Sequence, residues 1–171
     1  MNLKPSYPIP LEDVSIRPIT PEDNAEIARI IRATLTEFGA NHPGTVFSDP
    51  TTDDLYTLFK TPGSFYQVSE YDGQLLGGAG IFPSPGLPDG TCELVKMYLL
   101  PQARSIGLGR KMIADGLERA RTLGYRHVYI ETMPELGRAV EVYRRFGFRD
   151  LPGPLGNTGH FGCSVWMILD L

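Results

Sequence analysis

Cysteine is scarce in this chain: only Cys92 and Cys163 occur in 171 residues. Two thiols in strand-like stretches rule out a disulfide scaffold and fit a reducing compartment. Histidine is equally thin, and no histidine/cysteine group has metal-ligand spacing, so no metal is expected. No apolar run approaches the ~18 residues of a membrane span. The opening MNLKPSYPIPLED has no apolar signal-like core, and a cytoplasmic location is expected. Positive charge is in deficit, with a formal net of −4, which argues against a nucleic-acid partner. Repeats, low-complexity runs and linkers are also missing, so one domain with its own core is expected.

What is present is uneven. Residues 101–150 hold ten Lys or Arg against six Asp or Glu, while the rest of the chain carries −8. For Arg119, Arg121, Arg126, Arg144 and Arg145 solvated helix faces are the simpler reading. The same excess would also attract a polyanionic ligand. Inside this segment, an apolar strand ending at Pro101 feeds a short turn, Arg104-Ser105-Ile106-Gly107-Leu108-Gly109-Arg110. A helical pattern follows, with Leu108, Met112 and Leu117 on one side. The first amides of a helix have no internal partner, and the helix dipole adds positive charge there. Glycines let a phosphate approach those amides, and Arg104 and Arg110 flank the turn. The turn reads as a pyrophosphate cradle. It is neither a dinucleotide Gly-x-Gly-x-x-Gly, which needs glycine at Met112, nor a Walker A loop, which needs Gly-Lys-Ser/Thr.

In order, residues 1–13 form a proline-rich leader and residues 14–171 the domain. Val14 to Arg17 alternates as a short strand. Thr20-Pro21-Glu22-Asp23 opens a helix that ends near Gly39. A loop at residues 39–50 precedes a second helix near Thr52, with Leu55, Leu58 and Phe59 as its stripe. Residues 65–71 and 74–82 are strands joined at Asp72-Gly73, and Gly77-Gly78 suggests a bulge or a close approach. Residues 91–100 are the next strand, residues 107–123 a helix capped by Gly124, and residues 127–131 a short strand. Thr132-Met133-Pro134-Glu135 reads as a capping box ahead of a helix ending near Phe146. Extended stretches near Phe148 and at residues 161–171 close the chain. The order β-α-α-β-β-β-α-β-α-β-β predicts an α/β domain with a meander in its middle.

That layout resembles the GNAT (Gcn5-related N-acetyltransferase) fold: a single domain with a mixed, mostly antiparallel sheet flanked by helices. Two segments carry the resemblance. One is Glu93-Leu94-x-Lys96-Met97-Tyr98 followed by Arg104-x-x-Gly107-x-Gly109, which is similar to the family's acetyl-CoA signature. The other is Ala139-x-x-x-Tyr143-x-x-x-Gly147-Phe148, in which Leu136 stands where the family commonly has Asn. The closing Gly159-His160-x-x-Cys163-x-x-Trp166-Met167 is similar to small bacterial members. The resemblance implies acetyl-CoA as cofactor and a small-molecule amine as acceptor. It places cofactor contacts at Met97, Tyr98, Leu99, Arg104, Ser105, Ile106, Gly107, Leu108, Gly109 and Arg110. The alternatives are a non-catalytic acyl-CoA-binding module, or transfer to a hydroxyl or a protein amine.

Acetyl transfer needs a base for the amine and a donor for the departing thiolate. The donor candidate is Tyr143, whose position in the family motif favours it over a merely packed tyrosine. The base candidate is Glu93, an acid inside an apolar strand whose burial would raise its pKa; a salt bridge with an arginine is the competing reading. Its loss is expected to matter mainly at low pH. Strand alternation puts Glu93, Val95, Met97 and Leu99 on one face. Glu131 is a second base candidate. Cys163 and Cys92 read as core, as does Trp166. His42 and His160 lie in loops where the family builds its acceptor site, and His127 carries no expected chemistry. The last strands could pair with a second copy as a homodimer.

Overall fold

The structure, a computed structural model, describes residues 8–171. Seven strands form one sheet in the order β1-β2-β3-β4-β5-β7-β6. They are β1 (Ser15–Pro18), β2 (Phe65–Tyr71), β3 (Gln74–Phe82), β4 (Thr91–Leu99), β5 (His127–Thr132), β6 (Arg149–Leu151) and β7 (Val165–Asp170). Among the described residues only the β4–β5 pair is parallel. Helices α1 (Asn24–Glu37) and α2 (Leu55–Leu58) cover one face, where Ile27, Ile31 and Leu35 pack on Tyr66 and Val68. Helices α3 (Leu108–Thr122) and α4 (Gly137–Phe146) cover the other, through Ile113, Leu117, Val140 and Tyr143 against Ile81, Leu94 and Val128. This is the α/β meander that the order of elements predicted and the mixed sheet flanked by helices that the resemblance implied.

Local chemistry explains most boundaries. Thr20 and Asp23 form a capping box over a short 3₁₀ turn, Pro21–Asp23, and α1 begins one residue later. Gly147, in the left-handed region, ends α4. Three expectations need correction. The box expected at Thr132–Glu135 is a 3₁₀ turn, Pro134–Leu136, without a side-chain cap, because Thr132 is used as the last residue of β5. Cys163 lies in the turn before β7 rather than in a strand. Trp166 is only half-buried, and Met167 beside it takes the core position. Residues 1–7 of the expected leader lie outside the described residues, while Ile9 packs against Leu76, Leu108 and Met112. Among the described residues no helix is long and apolar enough to cross a membrane.

The feature that creates the site is a bulge in β4. Gly78 faces Tyr98 and Gly80 faces Val95, so Lys96 and Met97 oppose Ala79 alone. Lys96 absorbs the extra residue at φ 50°, and its freed carbonyl accepts a hydrogen bond from the Tyr66 hydroxyl at 2.8 Å. Gly77, at φ 151°, is required here: a Cβ would run into the Tyr98 carbonyl oxygen. The bulge also shifts the phase of the strand. Val95, Tyr98 and Leu100 pack toward α1, whereas Leu94, Met97 and Leu99 pack toward α3. The single face expected for Val95, Met97 and Leu99 is therefore wrong, because one inserted residue inverts a period-2 pattern. Beyond Glu93 the pairing of β4 with β5 stops.

Candidate active site

Where β4 and β5 part, a cavity of about 970 Å³ opens between them and the starts of α3 and α4. Glu93, Met97, Tyr98, Leu99, Arg104, Ser105, Gly107, Gly109, Arg110 and Tyr143 all line it. Of the other expected cofactor contacts, Leu108 is fully buried beneath the turn and Ile106 packs on the same cluster beside it. Residues far apart in sequence thus share one space.

The cradle is a helix start without a side-chain cap. Gly107 holds the N-cap position at φ 90°, where a side chain would be strained, and Ser105 is also left-handed at φ 65°. Among the described residues no amide from Ser105 to Arg110 donates a hydrogen bond within the protein; the first to do so is Lys111, to Gly107 at 3.1 Å. Consecutive unpaired amides at a helix N-terminus suit a diphosphate. The residues present therefore fit the anionic part of a CoA-type cofactor.

Arg104 sits at the cradle edge, but its guanidinium is committed. It forks onto Glu37 at 2.8 and 2.9 Å, donates to Leu99 O at 2.9 Å and lies 5.1 Å from the Phe38 ring. It ties the turn to α1. A cation that the sequence reading passed over, Arg138, lines the cavity and donates to Ser105 Oγ at 3.3 Å. A signal for it existed. Arginine in a first helical turn opposes the helix dipole, and both Arg110 in α3 and Arg138 in α4 occupy that position.

Glu93 is 3% exposed, and its Oε2 accepts a hydrogen bond from Ser84 Oγ. Burial pushes its pKa up to about 7, against the Ser84 hydrogen bond and with the help of the nearby Glu131 charge. Among the described residues no arginine forms the salt bridge considered for it. Glu131 accepts from the Tyr129 hydroxyl at 2.8 Å and from Thr158 Oγ1, so both of its oxygens are held. Glu93, Glu131 and His160 each offer a ligand atom, all within 4.8 Å of one another. Such a group can hold a cation or an ammonium. Its members are 38 and 29 residues apart, which is why no local spacing announced it.

His160 Nε2 is 3.1 Å from Asp49 Oδ2, and the buried Lys96 ammonium meets the same oxygen at 3.1 Å. Burial opposes the Asp49 charge, but His160 and Lys96 hold its pKa well below the usual carboxylate range. His42 lies outside the cavity, with Nδ1 3.3 Å from Pro43 O. Tyr143 is 7% exposed, with its ring edge-on to Phe148 at 5.9 Å, and burial raises its hydroxyl to about 12. Burial likewise pushes the Cys163 and Cys92 thiols up to about 12. Neither is a thiolate at neutral pH, so neither is equipped as an acyl carrier.

Comparison with known proteins agrees with this geometry. The pattern of the Acetyltransferase (GNAT) family matches residues 26–148. The uncharacterized N-acetyltransferase YjgM of Escherichia coli (strain K12) is 39% identical over 171 residues, covering 99% of each chain. IAA acetyltransferase of Azospirillum brasilense is 31% identical over 115 residues, 67% of this chain and 72% of that one. In fold, a GNAT-family acetyltransferase from Staphylococcus aureus Mu50 superposes with a TM-score of 0.80 at 16% identity, covering 92% of this chain and 98% of the other. The putative acetyltransferase yncA of Salmonella typhimurium, solved with its cofactor acetyl-CoA, gives a TM-score of 0.69 at 22% identity over 92% and 93%. The matched span runs through the cradle, the bulged strand and the helix bearing Tyr143; this chain belongs to the acetyltransferase (GNAT) family and is an acetyl-CoA-dependent acetyltransferase.

Proposed function

We propose that the acetyl group passes from acetyl-CoA to the amine of a small molecule by direct attack within a ternary complex. The observation that carries this reading is the open amide run from Ser105 to Arg110, in the same cavity as Glu93 and Tyr143. When bound, acetyl-CoA supplies a thioester carbonyl open to attack and a thiolate able to leave. The chain's own residues place the reactants and handle protons.

The turn at Gly107, with Arg110 and Arg138 beside it, holds the diphosphate. Glu93 takes a proton from the incoming amine, whose conjugate acid has an ordinary pKa of ~10. A carboxylate at about 7 is half ionised at neutral pH, which suits a general base. Tyr143, at about 12, stays protonated throughout the working range. Full transfer from it to a thiolate, whose parent thiol sits near ~8.5, is uphill. Its part is to donate a hydrogen bond to sulfur as charge develops there. The high thiol pKa of Cys163 disfavours a covalent acetyl-enzyme route.

Titration calorimetry with CoA tests the reading. Saturable binding is expected, and Gly107→Ala should weaken it about tenfold, since a side chain in the left-handed region costs ~1–2 kcal/mol and moves the amides. No heat with the wild-type protein would remove the cradle. Tight binding without thiol release from acetyl-CoA, for every amine in a broad panel, would point to a holding module instead. Tyr143→Phe is expected to lower kcat by roughly 10²-fold while leaving CoA affinity nearly unchanged. A kcat within threefold of wild type, with chemistry limiting, would discard the Tyr143 role.

A further inference from the structure

The polar groups around Glu93 limit what the acceptor can be. Glu93 gives one oxygen to Ser84, and among the described residues its Oε1 accepts no hydrogen bond, although the residue is almost wholly buried. That oxygen is open to the cavity that Glu93 lines, so it is free to take a donor from outside the protein. Glu131 lies alongside, its two oxygens fixed from behind by Tyr129 and Thr158.

The lysine and arginines of the same cavity stand away from Glu93, either in ion pairs or at the cradle turn. Lys96 is paired with Asp49 and Arg104 with Glu37. Arg138 is tied to Ser105 of the cradle turn, and Arg110 stands in the first turn of α3. Beside Glu93 stand a second carboxylate, Glu131, and the His160 imidazole, whose Nε2 is 3.1 Å from Asp49 Oδ2; among the described residues no lysine or arginine hydrogen-bonds to either glutamate. An acceptor carrying a carboxylate next to its amine would bring a third negative charge beside these two, and the nearby His160 imidazole already faces Asp49. Like charges brought together in a desolvated site cost several kcal/mol.

We infer that the acceptor enters as a primary ammonium without an adjacent carboxylate, held between Glu131 and Glu93, with Glu131 as its binding residue. This deepens the proposed acetyl transfer and rests on it. The ammonium gives one proton to Glu93, and the neutral nitrogen then forms the N–C bond as the C–S bond breaks. The nitrogen's second proton ends on sulfur, so the products are the amide, the CoA thiol and protonated Glu93. Free amino acids are excluded as good acceptors; their decarboxylated or amidated counterparts are favoured.

The test is thiol release from acetyl-CoA with matched pairs: tyrosine and tyramine, phenylalanine and phenethylamine, leucine and leucinamide. In each pair that turns over, the carboxylate-free member is expected to have at least a tenfold higher kcat/KM. Glu131→Gln should raise KM for that member about tenfold with kcat within threefold, and should shrink the preference. Equal or better use of the acids by the wild-type enzyme overturns the inference while leaving acetyl transfer intact. An unchanged KM in a folded Glu131→Gln protein overturns the binding role of Glu131. If no amine of any pair releases thiol although CoA binds, transfer to amines fails and this inference fails with it.

Discussion

Glu93→Gln is expected to lower kcat by about 10²–10³-fold near pH 8 and, in the same protein, to raise stability. Both effects come from one cause, the burial that lifts the carboxyl to about 7. Wild-type kcat/KM should rise with pH through about 7 as Glu93 loses its proton. Below that point the wild-type carboxyl is protonated and differs little from an amide, so the gap between the two proteins should close. The gap should be widest between about pH 7 and the amine's own pKa of ~10. This reverses the sequence-based expectation that the residue matters most at low pH, which had left out protonation of the base itself.

The stability change has a fixed sign. A carboxyl at 4.5 in the unfolded chain and about 7 in the fold binds its proton more tightly when folded. The contribution of Glu93 to stability is therefore greatest below about pH 4.5, falls as pH rises toward 7, and stays lower above it. The shift corresponds to about 3 kcal/mol at pH 8. Gln avoids this cost and still accepts the Ser84 hydrogen bond. Thermal unfolding should show Tm raised by roughly 6–12 °C at pH 8 and by little at pH 4.5. A gain of equal size at both pH values would mean that the charge of Glu93 is not what strains the wild-type fold.

The second large effect lies behind the cavity. Asp49→Ala is expected to destabilise the fold by about 3–5 kcal/mol, because it strands a buried ammonium. The Lys96 side chain is 4% exposed, and its remaining partner would be Thr52 Oγ1 at 3.4 Å. Burial already lowers the pKa of Lys96, with Asp49 resisting that change, so loss of the proton caps the damage. The double variant Lys96→Met/Asp49→Leu removes both charges and should recover all but about 1–2 kcal/mol of that loss, since a buried pair gains little over apolar packing while the cap that Asp49 gives Thr51 is still missing. Urea unfolding of the single and double variants measures the coupling. Simple additivity would mean that the pair is effectively solvated and that the bulge does not depend on it.

How much was legible beforehand follows the range of the forces involved. Gly147 ends α4 and Asp72-Gly73 joins β2 to β3 because left-handed turns are local chemistry. The cradle was readable for the same reason, since its amides, its glycines and the helix they open are contiguous in the chain. Arg104 was legible as a cation beside the turn, but not as the partner of Glu37, 67 residues away. Ser84 sits in a turn-rich loop and had no pattern to mark it as the hydrogen-bond donor to Glu93.

The sequence by itself determined the element order and the helix that opens on bare amides, both set by backbone preference and short-range periodicity; it offered Glu93 as an acid inside an apolar strand and Tyr143 through the resemblance to the family motif. Only the tertiary structure decided which face each β4 residue takes, because one bulged residue, fitted around Gly77 and the Tyr66 hydroxyl, inverts the alternation. It also decided the charge around the amine. Glu131 and His160 come beside Glu93 through β5 and the loop before β7, and electrostatics acts through space rather than along the chain.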